Sequence, residues 1–341
     1  MEHNQQDFLE QLIESPSPSG YEQAVREQWR EYTADFADEV HSDVHGNVIA
    51  VRNPDGQPRV MFAGHCDELG FQVNYITDDG FIYFNTIGGH DASLIPGRRV
   101  IIHARDGTVK GVTGRKAVHL TTPAERGKAV KIEDIWIDIG VTDREEAESL
   151  VRVGDPVTYD MGMQEMRNDI AVARAFDNKI GAWVVAEALR RISPKKLMAS
   201  VIAVATVQEE IGLRGATTSA YGVDPAVAVA VDVTHATDSP GVNKKIVGDV
   251  KLGGGPVIAR GPNINPVVEQ MLVEAAHDSG ITVQIQAESR ATGTDANAIQ
   301  ISRAGVATGL VGVPLRYMHS PSEVISLADA DATATLLAAF A

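Results

Sequence analysis

An internal disulfide is excluded at the outset, because the 341-residue sequence holds a single cysteine, Cys66. That scarcity points to a reducing, cytoplasmic setting. The polar start MEHNQQDFLEQ agrees, since it has no basic segment followed by an apolar run of the kind a secretory leader carries. No apolar stretch approaches the ~20 residues that span a bilayer, which excludes a transmembrane role. Positive charge is also short: 30 Lys and Arg stand against 46 Asp and Glu, a net charge of −16. Such a field repels phosphate backbones and anionic lipid, so nucleic acid and membrane surfaces are excluded as partners. What is present, 44% apolar and 22% charged residues with 5% aromatics, is the balance of a folded globular chain. The length suits one large domain or two moderate ones.

Phe8, Leu9, Leu12 and Ile13 recur at helical spacing, and after the breaker SPSPSG the pattern resumes from Tyr21 to Phe36. Two strands are predicted at 47–51 and 59–63, separated by the turn NPDGQ. From about 69 to 161 the texture changes to short β runs such as FQVNYI, FIYFNTI and RRVIIHA, cut by Gly, Asp and Pro. This predicts a small β-barrel or sandwich. After Ala171, helices alternate with continuous apolar strands: a helix at 177–191, the run SVIAVATV, a helix at 212–221, the run AVAVAV, a helix at 265–279 and a last helix from Leu327. Long apolar strands linked by helices predict a mostly parallel sheet flanked by helices, an α/β fold. The chain thus parses as one α/β domain, residues 1–67 plus 165–341, interrupted by an all-β insert at 68–164.

Three apolar strands end in acidic or imidazole groups. VMFAG runs into His65, Cys66, Asp67 and Glu68, SVIAVATVQ into Glu209 and Glu210, and AVAVAV into Asp232. The carboxyl ends of parallel strands line the ligand crevice of an open α/β sheet, so the three clusters are expected to converge. Any one of them alone reads equally well as a helix cap or a solvated carboxylate. Strand alternation puts His65 and Asp67 on one side and Cys66 on the other. A set of His, Asp and Glu without thiolate suits a catalytic divalent cation rather than a closed structural zinc site. Asp67 is placed to reach the second ring nitrogen of His65 and fix its tautomer, although a buried structural His–Asp pair has the same pattern. Glu209 and Glu210 diverge at a strand end, so one carboxylate can bind metal while its neighbour serves as general base; a solvated helix start is the alternative. Taken alone, Asp177 in ARAFDNKIGAW reads as an N-cap and His319 in VPLRYMHSPSE as a loop histidine. Gly293-Thr294-Asp295 either shapes a pocket or caps a helix.

The ordered set GHCDELG, FDNKIGAW, TVQEEIGLRGA, VDVTHATDSPG and RYMHSP resembles the tetrahedral (TET) dinuclear-metal aminopeptidases, a family that includes glutamyl and deblocking aminopeptidases and members described as endoglucanases. The resemblance covers essentially the whole chain. It implies a zinc-peptidase-like catalytic domain with an inserted PDZ-like dimerisation domain, and assembly into a tetrahedral dodecamer. It implies two divalent metal ions per subunit, Zn or Co with Mn as an alternative, bridged by Asp177. His65 and Asp232 would complete one site, Glu210 and His319 the other. Glu209 would be the general base and Asp67 the group that orients His65. A non-proline cis bond after Asp177 is also implied. Where many relatives have Arg after the Asp-Asn or Asp-Asp step, this chain has Lys179, which is not a ligand but alters contacts around the ligands.

The activity so implied is removal of N-terminal amino acids from peptides with a free N-terminus, by a metal-activated water. His119, in the polar stretch KAVHLTTPAERGK, matches a loop that in the family lies near a neighbouring subunit's site. A deacylase or carboxypeptidase of the same clan would need a cation for the substrate carboxylate, and Arg260, Arg290 and Arg316 are available for it. A glycosidase would need two carboxylates and no metal. A non-catalytic scaffold would act through the insert alone.

Overall fold

The computed structural model describes residues 3–193 and 197–341. These form two compact units, one made of residues up to Glu68 with Met163–Met318 and Ser322–Ala341, the other of Leu69–Gly162 with His319–Pro321. No helix among the described residues is long and apolar enough to cross a membrane.

The first unit is built on one large sheet. Its strands run in the order Glu39–Ser42, Val48–Arg52, Ser200–Thr206, Arg59–His65, Val227–His235, Ala307–Arg316, Glu323–Ser326, Ile170–Ala173 and Gln164–Glu165. Val257–Arg260 and Gln284–Ala287 branch from Ala307–Arg316. The four central strands are parallel, and the apolar runs SVIAVAT and VAVAVDV are buried almost throughout, as strands covered on both faces must be. Alternate residues face different cores. Val60 and Phe62 join Phe8, Trp29, Trp183 and Leu337 on one side, whereas Met61 and Ala63 join Ala216, Ala220 and Ile299 on the other.

The expectation of a mostly parallel sheet is corrected here. Antiparallel pairings join Glu39–Ser42 to Val48–Arg52, Val48–Arg52 to Ser200–Thr206, Glu323–Ser326 to both of its neighbours, and Gln164–Glu165 to Ile170–Ala173, so the sheet is mixed. Its margins are short segments, too brief to show the long apolar runs that mark buried parallel strands, and several pair with strands far away in sequence. EVHS, EVIS and IAVA went unassigned in the sequence for the same reason.

In the second unit the short β runs close into a six-stranded antiparallel barrel, Gly70–Ile76, Ile82–Ile87, Ile135–Asp138, Gly107–Arg115, Arg99–Ala104 and Pro156–Tyr159. Its own core is formed by Phe71, Val73, Ile82, Val100, Ile137 and Val157 among others. His119 lies in this unit, exposed in a short 3-10 turn, Val118–Leu120.

Candidate metal centre

Register brings the acidic strand ends together. His65 is the last residue of its strand and pairs with Thr206, three residues before Glu209; on the other side Ala63 pairs with Ala230, two residues before Asp232. The helix Phe176–Arg191 crosses this point in backbone contact. A methyl group on Gly64 would come within 2.5 Å of the Gly181 carbonyl carbon, so only glycine allows His65 and Asp177 to approach. Asp177 has non-helical φ and ψ of −79° and 103°, the peptide bond to Asn178 is cis, and it is the Asn178 side chain that accepts from an amide of the following turn. Asn178 carries the local tether instead, its Nδ2 donating to the Val231 carbonyl at 2.8 Å and its Oδ1 accepting from Gly181 N at 3.0 Å.

His65, 1% exposed, stands at the centre. Its Nε2 lies 3.4 Å from Asp177 Oδ1, 3.7 Å from Glu209 Oε2 and 3.9 Å from Asp232 Oδ1. Its Nδ1 faces the Asp67 carbonyl at 3.2 Å and Asp67 Oδ1 at 3.3 Å. Ligand-type atoms fall into two groups, His65 with Asp177 and Glu210 and His65 with Glu209 and Asp232, the atoms of each within 4.8 Å of one another.

Burial pushes Glu209 up to about 9, helped by the charges of Asp232, Asp295 and Asp67 against the opposing pull of His65. Burial raises Glu210 and Asp232 well above the carboxylate range too, with Asp177 the leading charge on Glu210. For His65 burial works downward, but Glu209, Asp177 and Asp67 outweigh it and hold the imidazole well above its ordinary value. So many carboxylates cannot share a dry pocket in ionised form without added positive charge. A hard donor set of oxygens and one imidazole fits a divalent cation.

Five of the predicted ligand and base residues thus meet. Glu209, however, lies among the ligand-type atoms as closely as Asp232 does. His319 follows the strand Ala307–Arg316 with a left-handed φ of 60° and groups with the second unit, where a Cβ on Gly89 would lie 3.5 Å from its Nδ1. Cys66 is buried in the main core, the cluster that also holds Phe62 and Trp183. Asp295 is buried, its Oδ2 hydrogen-bonded to Thr206 Oγ1 and its carboxyl pushed up to about 6 by burial. Thr294, at the N-cap position, makes no cap bond and pairs with Thr292 instead.

Several participants went unseen in the sequence. Glu323 Oε2 accepts from Asp177 N at 2.9 Å, and Ser19 Oγ donates to Asp67 Oδ2 at 2.5 Å. Glu68, named in the first acidic cluster, is buried with Arg174 and Lys179, a pairing the sequence does not reveal. The available signal is the cluster of polar side chains in and after the breaker SPSPSG, which supplies Ser17, Ser19 and Glu22.

A buried cluster of carboxylates around one imidazole, at the carboxyl ends of parallel strands, is the kind of site that metal-dependent hydrolases use. Residues 46–336 match the M42 glutamyl aminopeptidase family. Over 333 residues the chain is 37% identical to the lysyl aminopeptidase of Pyrococcus furiosus, covering 97% of this chain and 94% of that one. A TET aminopeptidase from a marine sediment archaeon of the Thaumarchaeota superimposes with a TM-score of 0.93 at 36% identity, covering 98% and 95% of the two chains. The Pyrococcus horikoshii TET1 peptidase, which can assemble into a tetrahedron or a large octahedral shell, gives 0.88 at 32% identity over 99% of each chain. The chain belongs to the M42 glutamyl aminopeptidase family and is a peptide hydrolase.

Proposed function

We propose that the protein is a dinuclear metallo-aminopeptidase that removes single residues from peptides with a free N-terminus. The observation that carries this is the convergence of His65, Asp177, Glu209, Glu210 and Asp232 into two ligand groups sharing one imidazole. Asp177 would bridge the two ions, with His65 and Asp232 on one and Glu210 on the other; His319 is assigned to the second ion on sequence resemblance. Bound Zn, Co or Mn would supply a Lewis acid for the scissile carbonyl and a lowered pKa for the attacking water. Glu209 takes the proton from that water and returns it to the leaving amine. Asp67 holds His65 through Nδ1, and its own oxygens accept from the backbone amides of Glu209 and Glu210 at 3.0 and 3.1 Å.

Two of the cations available to a carboxypeptidase are already engaged. Arg260 pairs with Glu269 at 2.6 Å, and Arg316 makes two hydrogen bonds to Asp238 at 2.8 and 2.7 Å. This supports the aminopeptidase reading over one that needs a free guanidinium for a C-terminal carboxylate. The assembly of the Pyrococcus horikoshii relative supports a homo-oligomer here; the barrel unit is assigned as its PDZ-like dimerisation part on sequence resemblance, and the cytoplasmic setting rests on the single cysteine.

The deciding experiment is a panel of aminoacyl p-nitroanilides and N-acyl amino acids, assayed after chelation and after adding back Zn, Co or Mn. Cleavage of the free-amine substrates only, abolished by chelator and restored by metal, is expected. Turnover of blocked substrates alone, or full activity in chelator, would overturn the reading. Loss of one metal equivalent in His319→Ala is the expected outcome for that ligand.

A further inference from the structure

The stretch that carries Glu209 and Glu210 lies beyond the strand Ser200–Thr206 and before the helix Arg214–Val223, and Gln208 within it is left-handed, with φ of 56°. A backbone outside a ladder still has amides to satisfy, and a non-glycine residue in this region needs outside support. Here four consecutive amides are taken up by side chains from three distant places. Val207 N donates to Asn47 Oδ1 at 3.1 Å, Gln208 N to Glu22 Oε1 at 3.1 Å, Glu209 N to Asp67 Oδ1 at 3.0 Å and Glu210 N to Asp67 Oδ2 at 3.1 Å. Asn47 and Asp67 are 0% exposed and Glu22 3%. The far end is closed by Gly215, whose N donates to the Val207 carbonyl at 2.9 Å; a Cβ there would sit 2.4 Å from Asn47 Oδ1.

Within this clamp Asp67 faces His65 directly, whereas Glu22 and Asn47 pair with other groups, and Glu22 is the one that bonds Gln208. It precedes the helix Gln23–Ala34 and also accepts from Gly20 N at 2.7 Å. Its carboxyl is pushed up to about 7, by burial first and by the Asp67 charge second, so holding it here costs free energy that a solvent-facing residue would not cost. It bonds Gln208, the left-handed residue that immediately precedes Glu209 (Leu213, the other in this stretch, lies at the helix start), and so sets the direction in which Glu209 leaves the strand. We infer that Glu22 is a positioning residue for Glu209: by fixing Gln208 it keeps the Glu209 carboxylate beside His65 and Asp232. The inference rests on the reading of Glu209 as the base. Release of Gln208 lets the turn relax, and a displacement of about 1 Å at a reacting group costs up to ~100-fold in rate.

Glu22→Ala, Glu22→Gln and Glu209→Gln are compared with the native metal-loaded enzyme for kcat, KM and metal content. Amide hydrogen exchange over residues 207–210 is followed in the chelated proteins. For Glu22→Ala a fall in kcat of about 10- to 100-fold is expected, with KM within about threefold, metal content unchanged and faster exchange at 207–210. Glu22→Gln keeps an oxygen acceptor and is expected to recover kcat to within about threefold of native. Native kcat in Glu22→Ala while Glu209→Gln is inactive overturns the proposal and leaves the base intact. So does native exchange at 207–210, or loss of metal in parallel with rate. Activity in Glu209→Gln instead removes the base assignment, and the exchange data then judge the clamp alone. Should Glu22→Ala not fold, Glu22→Asp, one methylene shorter, replaces it: a lowered kcat in Asp but not in Gln supports the proposal, and native kcat in both overturns it.

Discussion

Two buried charge clusters sit three residues apart along the same stretch of chain, one around His65 and the other around Glu68. Solvent access does not distinguish them, since His65 and Glu68 are 1% and 2% exposed. Glu68 accepts from Lys179 Nζ and Ser17 N, both at 2.9 Å, and from Arg174 Nη1. Burial would raise its carboxyl, but Arg174 and Lys179 outweigh burial and hold it below the ordinary value. Lys179 in turn is brought down to about 8 by burial, against the pull of Glu68. Around His65 the same burial acts on Glu209, Glu210 and Asp232 with one imidazole among them, and all three are raised. The Glu68 cluster is closed by the protein's own cations. The His65 cluster holds a surplus of acceptors, and that surplus is what a divalent cation neutralises.

The comparison breaks most directly at Glu209. Glu209→Gln should lower kcat by ~10²- to 10⁴-fold, the usual contribution of a general base, with metal content intact. Loss of metal would make Glu209 a ligand and leave the base unassigned. On the closed side, Glu68→Ala strands Arg174 and Lys179 in the interior. A loss of ~3–5 kcal/mol in urea unfolding is expected, and a loss under ~1 kcal/mol would show that the cluster is not closed by that carboxylate.

The two clusters should also respond to pH with opposite sign. In chelated protein Glu209 binds its proton more tightly folded than unfolded, so its contribution to stability is full below the unfolded value of 4.5 and is lost as pH rises toward about 9. Glu68 is lowered instead, so its contribution is present above 4.5 and is lost as pH falls through its folded value. Melting temperature measured with chelator from pH 5 to 9 should therefore fall with pH and flatten when metal is restored. A flat profile in chelator would contradict the acceptor surplus. The smallest effect belongs to Cys66, which faces the core: Cys66→Ala should leave kcat within about twofold and cost ~1 kcal/mol on unfolding. A larger loss of rate would place the thiol in the site.

Much of the site was legible because its signals are local. Apolar runs ending in His65, Glu209-Glu210 and Asp232 announce strand ends, and alternation alone turns Cys66 from His65. Asp177 and His319 drew their roles from resemblance, because each sits where an ordinary cap or loop would look the same. Glu22, Asn47 and Glu323 were illegible, as were the partners of Glu68: a polar residue near a turn has no periodic mark, and its partner lies 51 residues away for Ser17 and Glu68, 146 for Asp177 and Glu323, and 186 for Glu22 and Gln208.

By itself, then, the sequence determined the class of fold, the barrel-forming insert and the kinds of atoms offered at the strand ends, since these follow from composition and from periods of two and 3.6 residues. Tertiary structure alone decided which carboxylates face one imidazole, which buried acid receives cations and which amides are clamped. Those outcomes depend on parallel register and on the backbone contact of Gly64 with Gly181, where a single added carbon would hold the helix away. They also depend on burial, which changes the charge preference of a carboxyl only after neighbours distant in sequence have closed around it.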